Sequence, residues 1–306
     1  MRISIMGLPE RGHAVGPVLR SIEEAEAYGL SGYWLAHTTG VDALTVLALA
    51  GTCTSRIELG TFVVPTYPRH PAAMAQQALT TQSACDGRLI LGIGLSHRVV
   101  MEGRLGFDWD HPIRHMREYL TVLNALLNGE PLEFEGTEFT VRGYAIAIDQ
   151  VTPPDVVVAA LGPQMLRLTG SMASGTALWM GGPEYIRTQA APILTESAQK
   201  AGRPAPRIIA GLPVCVTEAV EATRERAAQH FQVYGRLPSY RAILDKEGAS
   251  GPEDVALIGD EETVRAGINA LKAAGATDIA GAIFASTDQE REATLRVLRD
   301  IQESEA

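Results

Sequence analysis

The sequence predicts an α/β fold built as a parallel (β/α)8 barrel, and three observations carry that prediction. Strand-like and helix-like segments alternate along nearly the whole chain, with no linker or low-complexity stretch between them. Eight strand-like runs follow one another in βα order, which fits a closed barrel better than an open, doubly wound sheet. The central unit joins a strand, Ile57 to Val64, through a helix, Pro71 to Cys85, to a second strand, Arg88 to Ile93. Both strands are too continuously apolar to have one wet face, the mark of a parallel sheet covered on both sides.

Taken in order, Arg2 to Met6 is the first strand. Val15 to Tyr28 is a helix with Val15, Val18, Leu19, Ile22 and Ala25 near helical spacing, closed by Gly29. Gly32 to Ala36 is the second strand. Asp42 then has the side chain of a helix N-cap, for a helix ending near Thr54. Pro65 and Pro68 end the third strand, and Asp86-Gly87 turns the chain into the fourth. After His97 the stretch VVMEGRLGFDWDHP reads as an aperiodic loop, followed by a helix from about Ile113 to Leu127. Gly129 to Val141 reads as a small inserted hairpin turning at Glu135-Gly136. The repeat resumes with strand Val156–Ala160, helix Pro163–Ser174, strand Ala177–Met180, helix Pro183–Ala201 and strand Arg207–Val216. Helical segments Glu218–Tyr234, Leu237–Glu247 and Glu261–Ala274, strand Asp278–Ala285 and helix Gln289–Glu303 complete it.

A chain of 306 residues, 46% of them hydrophobic, can bury one full core, so residues 1–306 are expected to form one barrel domain with an insertion at about 95–145. With no membrane-length apolar run and no signal-peptide pattern at MRISIMGLPE, a soluble cytoplasmic protein without membrane partners is expected. A net charge of −10 argues against nucleic acid, whose binding rests on clustered cations. Cys53, Cys85 and Cys215 lie far apart in apolar surroundings, outside any metal-ligand spacing, and are expected to be buried thiols.

In such barrels chemistry sits where strands end at their C-terminal rim. His37 ends the second strand, Phe62 and Val63 lie near the end of the third, and Gly94, Ser96 and His97 follow the fourth. Each histidine can equally be read as a capping or surface residue. In Ala160-Leu161-Gly162-Pro163-Gln164-Met165 a buried strand passes through glycine straight into a helix. Proline at the first helical position leaves the N–H groups of Gln164 and Met165 free for a phosphate, unless this is an ordinary strand-to-helix turn. GIG at 92–94 lacks the third glycine and the following helix of a dinucleotide loop, and P-loop, HExxH and GxSxG patterns are absent. Metal and hydrolase chemistry fall away. Arg98, Arg104, Arg114, His115 and Arg117 suit an anionic tail, but Glu102, Asp108 and Asp110 among them favour a mixed-charge surface.

Together, GTFVVPTYPRHP, CDGRLILGIGLSHR and VVAALGPQMLRLTG, in that order and with GLPVCVT and LPSYRAILDKEG behind them, resemble the luciferase-like flavin and deazaflavin oxidoreductases, specifically those using coenzyme F420. The resemblance implies a barrel of the bacterial luciferase type with the cofactor ring at the rim, and a cofactor phosphate at Leu161, Gly162, Pro163, Gln164 and Met165. It also implies a non-proline cis peptide at Phe62-Val63 and ring contacts from Thr61, Phe62, Val63, Gly94 and Ser96. Trp179 and Met180 line the ring or substrate pocket, or else pack the core. The implied activity is hydride transfer between F420 and a small organic molecule, reducing an activated C=C or C=N bond or running in reverse, with His37 first and His97 second as proton donor. An FMN-dependent monooxygenase is the alternative, and a non-catalytic flavin-binding protein a third reading. His97 stands where several relatives carry a carboxylate, and Ser174 where they carry an acid. The family's habit also implies a homodimer.

Overall fold

A computed structural model of the chain describes residues 1–8 and 14–305. It begins β1 (Arg2–Gly7), α1 (Val15–Ala27), β2 (Gly32–Leu35), α2 (Ala43–Cys53), β3 (Glu58–Thr61), β4 (Val64–Pro65), α3 (Pro71–Ala84) and β5 (Leu89–Gly94). The insertion follows as α4 (Arg98–Met101), α5 (Pro112–Leu127), β6 (Leu132–Glu135) and β7 (Thr140–Tyr144). Then come β8 (Asp155–Val158), α6 (Pro163–Met172), β9 (Gly175–Trp179), α7 (Pro183–Tyr185), α8 (Ala191–Lys200) and β10 (Arg207–Val216). The chain ends with α9 (Val220–His230), α10 (Pro238–Lys246), β11 (Leu257–Gly259), α11 (Glu261–Ala273), β12 (Asp278–Ile283) and α12 (Asp288–Glu305).

The strands close in the order β1-β2-β3-β5-β8-β9-β10-β12, and β12 pairs back onto β1 with Ile5 opposite Gly281. All pairings in this ring are parallel, so every C-terminal end opens on one rim. The expected eight-stranded parallel barrel is therefore the fold. No helix among the described residues is long and apolar enough to cross a membrane.

Side chains fill the inside of the barrel. Trp34 lies over Gly60, its partner on β3, where a side-chain carbon would collide with the indole. Higher up, the rings of Phe62 and Trp179 share the space over Gly211, whose added carbon would stand 2.7 Å from Phe62 Cζ and 3.2 Å from Trp179 Cε3. Under Trp34, at the N-terminal ends of the strands, sits an ion network. Arg207 donates to both Glu58 (2.7 Å) and the fully buried Asp278 (2.6 Å), and Arg2 donates to Asp278 from the outside (2.7 Å). The Arg207 guanidinium also lies 5.9 Å from the Trp34 ring centroid.

Several elements differ from the sequence reading. The third strand is broken: β3 stops at Thr61, the Phe62-Val63 peptide is cis as expected, and β4 resumes at Val64 with Pro65 opposite Gly94 rather than ending the run. The hairpin forms a separate two-stranded sheet and turns through residues 136–139 instead of Glu135-Gly136. The N–H groups of Thr137, Glu138 and Phe139 all donate to the Glu118 carboxylate of α5, which wraps the turn around that acceptor. The loop after His97 holds one helical turn, α4, too short to show periodicity and pinned by buried Met101. The helix expected over Pro183–Ala201 widens into a π segment at Ile186–Ala190, because Pro192 has no N–H for a regular bond. The helix expected to Tyr234 ends at His230 and continues as turns. A short extra strand, β11, extends β10 outside the closed ring. Cys85 and Cys215 are buried as expected, but Cys53 is exposed at the end of α2, on the side of that helix facing away from the barrel.

The ion network generates a stability prediction. Asp278→Ala leaves Arg207 short of a partner in a dry site and is expected to destabilise the fold by about 3–5 kcal/mol, whereas Arg2→Ala, with a half-exposed guanidinium, costs under about 1 kcal/mol. Burial alone would raise the Asp278 pKa, but its bonds from Arg2 and Arg207 outweigh that and hold it below the usual value. Its contribution is thus present above the unfolded carboxyl pKa of about 3.9 and lost as pH falls through the lower folded value. Urea unfolding of both variants between pH 7 and pH 3 reads this directly.

Candidate active site

Four groups meet the rim. The first surrounds His37, two residues past β2. Its Nδ1 accepts the N–H of Ala43 at 3.2 Å, which places the ring proton on Nε2. Asp42 stands 4.0 Å away, but its carboxylate is committed elsewhere: it caps α2 by accepting from Thr45 N–H (2.9 Å) and also accepts from Arg69. Burial, then the nearby Arg69 charge, lowers the His37 pKa against the pull of Asp42, so the imidazole is neutral at pH 7. The cap was legible in the sequence; the Arg69 pairing, from a loop 27 residues away, was not.

The second group is the break in the third strand. By strand order β3 lies between β2 and β5, so Phe62-Val63 sits between the strands that lead to the two histidines. Phe62 turns inward and meets Trp34 edge to face at 6.0 Å. Val63 packs across onto Gly94, where an added side-chain carbon would stand 2.6 Å from Val63 Cγ2 and 3.1 Å from Ala159 Cβ. Ser96 and Met180, both at strand ends, take left-handed backbone (φ 64° and 59°), a conformation costly for residues with side chains. Thr61, an expected ring contact, does not present its side chain to the rim, and Met180 takes the second of its two readings and packs the core. The Thr61 hydroxyl is buried, donating to Gly92 O (2.7 Å) and accepting from Gly92 N–H (2.8 Å), and Met180 is fully buried.

The third group is the start of α6. Gly162 has ordinary extended backbone (φ −91°, ψ 152°), and a Cβ there would meet nothing within 4 Å, so the space before the helix is open. Gln164 and Met165 have no backbone acceptor among the described residues, while Leu166 N–H already donates to Gly162 O. Tyr185, a buried residue the sequence reading passed over, fixes the loop by donating its hydroxyl to Leu161 O at 2.7 Å. Two free donors and a helix dipole facing open space fit a phosphate. Ser174 lies just before β9, at the N-terminal end of the barrel, where its hydroxyl donates to Asp155 at the start of β8, and is not part of the rim.

The fourth group is aromatic. His97 meets the rings of Tyr234 and Tyr240 edge to face at 6.3 Å and 5.8 Å, and burial lowers its pKa. Trp179 meets Phe231 (5.7 Å) and Tyr234 (6.0 Å) in the same way. None of these partners was foreseen residue by residue, because the turns at 231–237 broke the expected helix.

The basic loop resolves as a mixed-charge surface. Arg98 pairs with Glu102 (2.6 Å) and Arg114 with Glu138 (2.6 Å). His115 is buried, stacked at 4.0 Å on Tyr67, its pKa pushed down to about 4 by burial against the pull of Glu138 and Glu118, so it carries no charge for an anionic tail.

This arrangement defines a (β/α)8 barrel with an open helix start, two free N–H donors and two neutral histidines on one rim. The chain belongs to the luciferase-like monooxygenase family, whose model matches residues 2–278. Among similar proteins is a putative coenzyme F420-dependent oxidoreductase of Mycobacterium tuberculosis, 29% identical over 81% of this chain and 73% of that one. In fold, the chain is similar to the coenzyme F420 dependent tetrahydromethanopterin reductase from Methanopyrus kandleri (TM-score 0.82, 22% identity, 97% of each chain). It is also similar to the oxygenating constituent of 3,6-diketocamphane monooxygenase from Pseudomonas putida, solved in complex with FMN (TM-score 0.76, 17% identity, 99% of this chain and 97% of that one).

The cradle generates its own prediction. Because Gly162 has room and extended backbone, Gly162→Val should fold with a nearly unchanged melting temperature, while its side chain occupies the space before the free N–H groups. Affinity for a phosphate-bearing ligand should fall by about tenfold or more, roughly 1.4 kcal/mol, in an equilibrium titration.

Proposed function

We propose that the protein is an F420-dependent oxidoreductase that moves hydride between the deazaflavin and a small organic substrate, reducing an activated C=C or C=N bond. The observation that carries this reading is the open start of α6, with two unpaired N–H donors on the same rim as His37 and His97. The relatives named as F420-dependent support the cofactor. When bound, a 5-deazaflavin supplies hydride at its ring carbon and does not readily activate oxygen.

The chain's own residues have distinct tasks. Gln164 and Met165 hold the phosphate through their N–H groups, and Phe62 and Val63 present the surface on which the ring is positioned. Hydride brings two electrons to one atom of the substrate double bond, and the partner atom gains the charge that His37 neutralises with a proton. A neutral ring whose Nδ1 is engaged by Ala43 has only a weakly acidic Nε2–H to offer, so the competent acid is the imidazolium. With the pKa lowered, that form is scarce at pH 7 and grows as pH falls.

Reductive turnover should therefore rise as pH drops through and below about 6.5, and His37→Ala should abolish that rise and lower kcat by roughly 10²–10⁴-fold with F420 affinity unchanged. His97→Ala is the comparison: if it shows the large loss and His37→Ala does not, the role belongs to His97. The second reading, an FMN-dependent monooxygenase, is favoured by the fold shared with an FMN-bound enzyme. Parallel titrations with F420 and FMN separate the two, since micromolar F420 binding without FMN binding is expected and the reverse moves the assignment. Cofactor binding without turnover of any acceptor would favour the non-catalytic reading.

A homodimer through α2 and α3 belongs to the same proposal. Neither helix contains a charged residue, and their outer faces expose Thr45, Leu49 (46% exposed), Thr52 and Cys53 on one and Ala73, Gln76 and Thr80 on the other. Leu49→Arg should convert a dimer to a monomer in light scattering, and an unchanged mass would place the interface elsewhere.

A further inference from the structure

Two consecutive strands of the barrel end in the same short pattern. β8 leads into Gly162-Pro163-Gln164-Met165 and β9 into Gly182-Pro183-Glu184-Tyr185, and in both the proline takes the first helical position. Proline has no N–H, so the two residues after it carry the first donors of each helical run, α6 and the run from Pro183 to Lys200. At the second start these donors are occupied. The Glu247 carboxylate, one residue past α10, accepts Tyr185 N–H at 2.6 Å and Glu184 N–H at 3.2 Å. It fits because Gly182 leaves room: a side-chain carbon added there would stand 2.5 Å from Glu247 Cδ. The chain thus fills one Gly-Pro start with an anion of its own and leaves the other, at α6, open.

The two starts are also joined. Tyr185, whose N–H holds Glu247, donates its hydroxyl to Leu161 O at 2.7 Å. Its ring is fully buried, and burial raises the phenol pKa, so the hydroxyl keeps its proton and donates. The acceptor belongs to the Leu161-Gly162 peptide, the last before α6. No atom beyond its chain neighbours lies within 4 Å of where a Gly162 side chain would be, so packing does not hold this peptide on its open side, and glycine lets it rotate. The bond to Tyr185 turns the Leu161 carbonyl inward. Released, that carbonyl can swing toward the space before the helix, where its partial negative charge opposes an anion bound by the N–H groups of Gln164 and Met165.

We infer that Tyr185 and Glu247 are positioning residues for the cofactor phosphate: Glu247 seats Tyr185, and the Tyr185 hydroxyl holds the Leu161 carbonyl away from the anion received at the α6 start. The inference rests on the phosphate reading of that start given above and adds to it two residues that touch no ligand.

Fluorescence titration of the full-length protein tests it with two probes that differ only by a phosphate: Fo, the deazariboflavin core of F420, and Fo 5′-phosphate. The wild type should prefer the phosphate form by about tenfold or more. Tyr185→Phe, which keeps the ring and removes the hydroxyl, and Glu247→Ala should each cut that preference by about threefold or more while leaving Fo affinity unchanged. Glu247→Gln, which keeps one acceptor oxygen, should recover part of it. Because the two residues act in series, the variant carrying both Tyr185→Phe and Glu247→Ala should lose no more than the greater single loss. A preference kept in both single variants, additive losses, or an equal fall in affinity for both probes, as a purely structural role would give, overturns the inference. Glu247 is only half-buried, so its variants decide the question even where Tyr185→Phe lowers the melting temperature. The cofactor reading fails separately. If the wild type binds neither deazaflavin but prefers riboflavin 5′-phosphate to riboflavin, F420 is the wrong cofactor and the same variants measured on that pair decide the positioning roles. A wild type with no phosphate preference in either pair overturns the phosphate reading and this inference together.

Discussion

A closed ring of eight parallel strands encloses a space that water cannot stabilise, so side chains must fill it from bottom to top. Here the filling changes character with height. At the N-terminal end Arg207 is balanced by Glu58 and the fully buried Asp278, so the charges must be complete to be tolerable. Trp34 caps that layer, fitting because Gly60 beside it has no side chain. Above it, Phe62 and Trp179 meet over Gly211 and close the interior with apolar rings. With core and charge settled below, the strand ends are free to carry groups chosen for chemistry.

The same packing sets the electrostatics of the rim. His37 and His97 are both lowered by burial, and at His37 the acid that looks like a catalytic partner, Asp42, serves chiefly as a helix cap and as the counter-ion of Arg69. A histidine beside a carboxylate is ordinarily the more basic for it. In this site desolvation and Arg69 win over Asp42, which separates His37 from the familiar carboxylate-raised imidazole and ties its acidity to low pH. The two aromatic clusters show a comparable division. The stacked set around His115 holds the insertion down onto the barrel, while the edge-to-face set around Trp179 ties residues 231–240 to the ends of β9 and β5.

How much was readable in advance can be judged residue by residue. Asp42 as a cap, Gly162-Pro163 as a helix start and Phe62-Val63 as a break in the third strand are properties of a few adjacent residues, and each was legible from side-chain chemistry or from the motif carrying it. Thr61 was expected against the cofactor ring from the resemblance and Met180 was open between pocket and core, but a strand's side chains alternate and its turns are tight, so both point inward. Ser174, which stands where relatives carry an acid, lies at the opposite end of the barrel. His115 looked cationic beside four arginines, yet the tertiary stack on Tyr67 buried it.

By itself, the sequence determined the order of strands and helices and their parallel arrangement, with every strand's C-terminal end on one rim, because hydrophobic period and βα alternation are local and directional signals. Only the tertiary structure decided which of the rim residues meet. Arg69 reaches Asp42 across 27 residues, Arg207 reaches Glu58 across 149, and His97 finds Tyr234 and Tyr240 from a segment more than 130 residues away. Such pairings depend on closure of the ring and on which rings fit over which glycines, quantities set by three-dimensional packing that no spacing along the chain encodes.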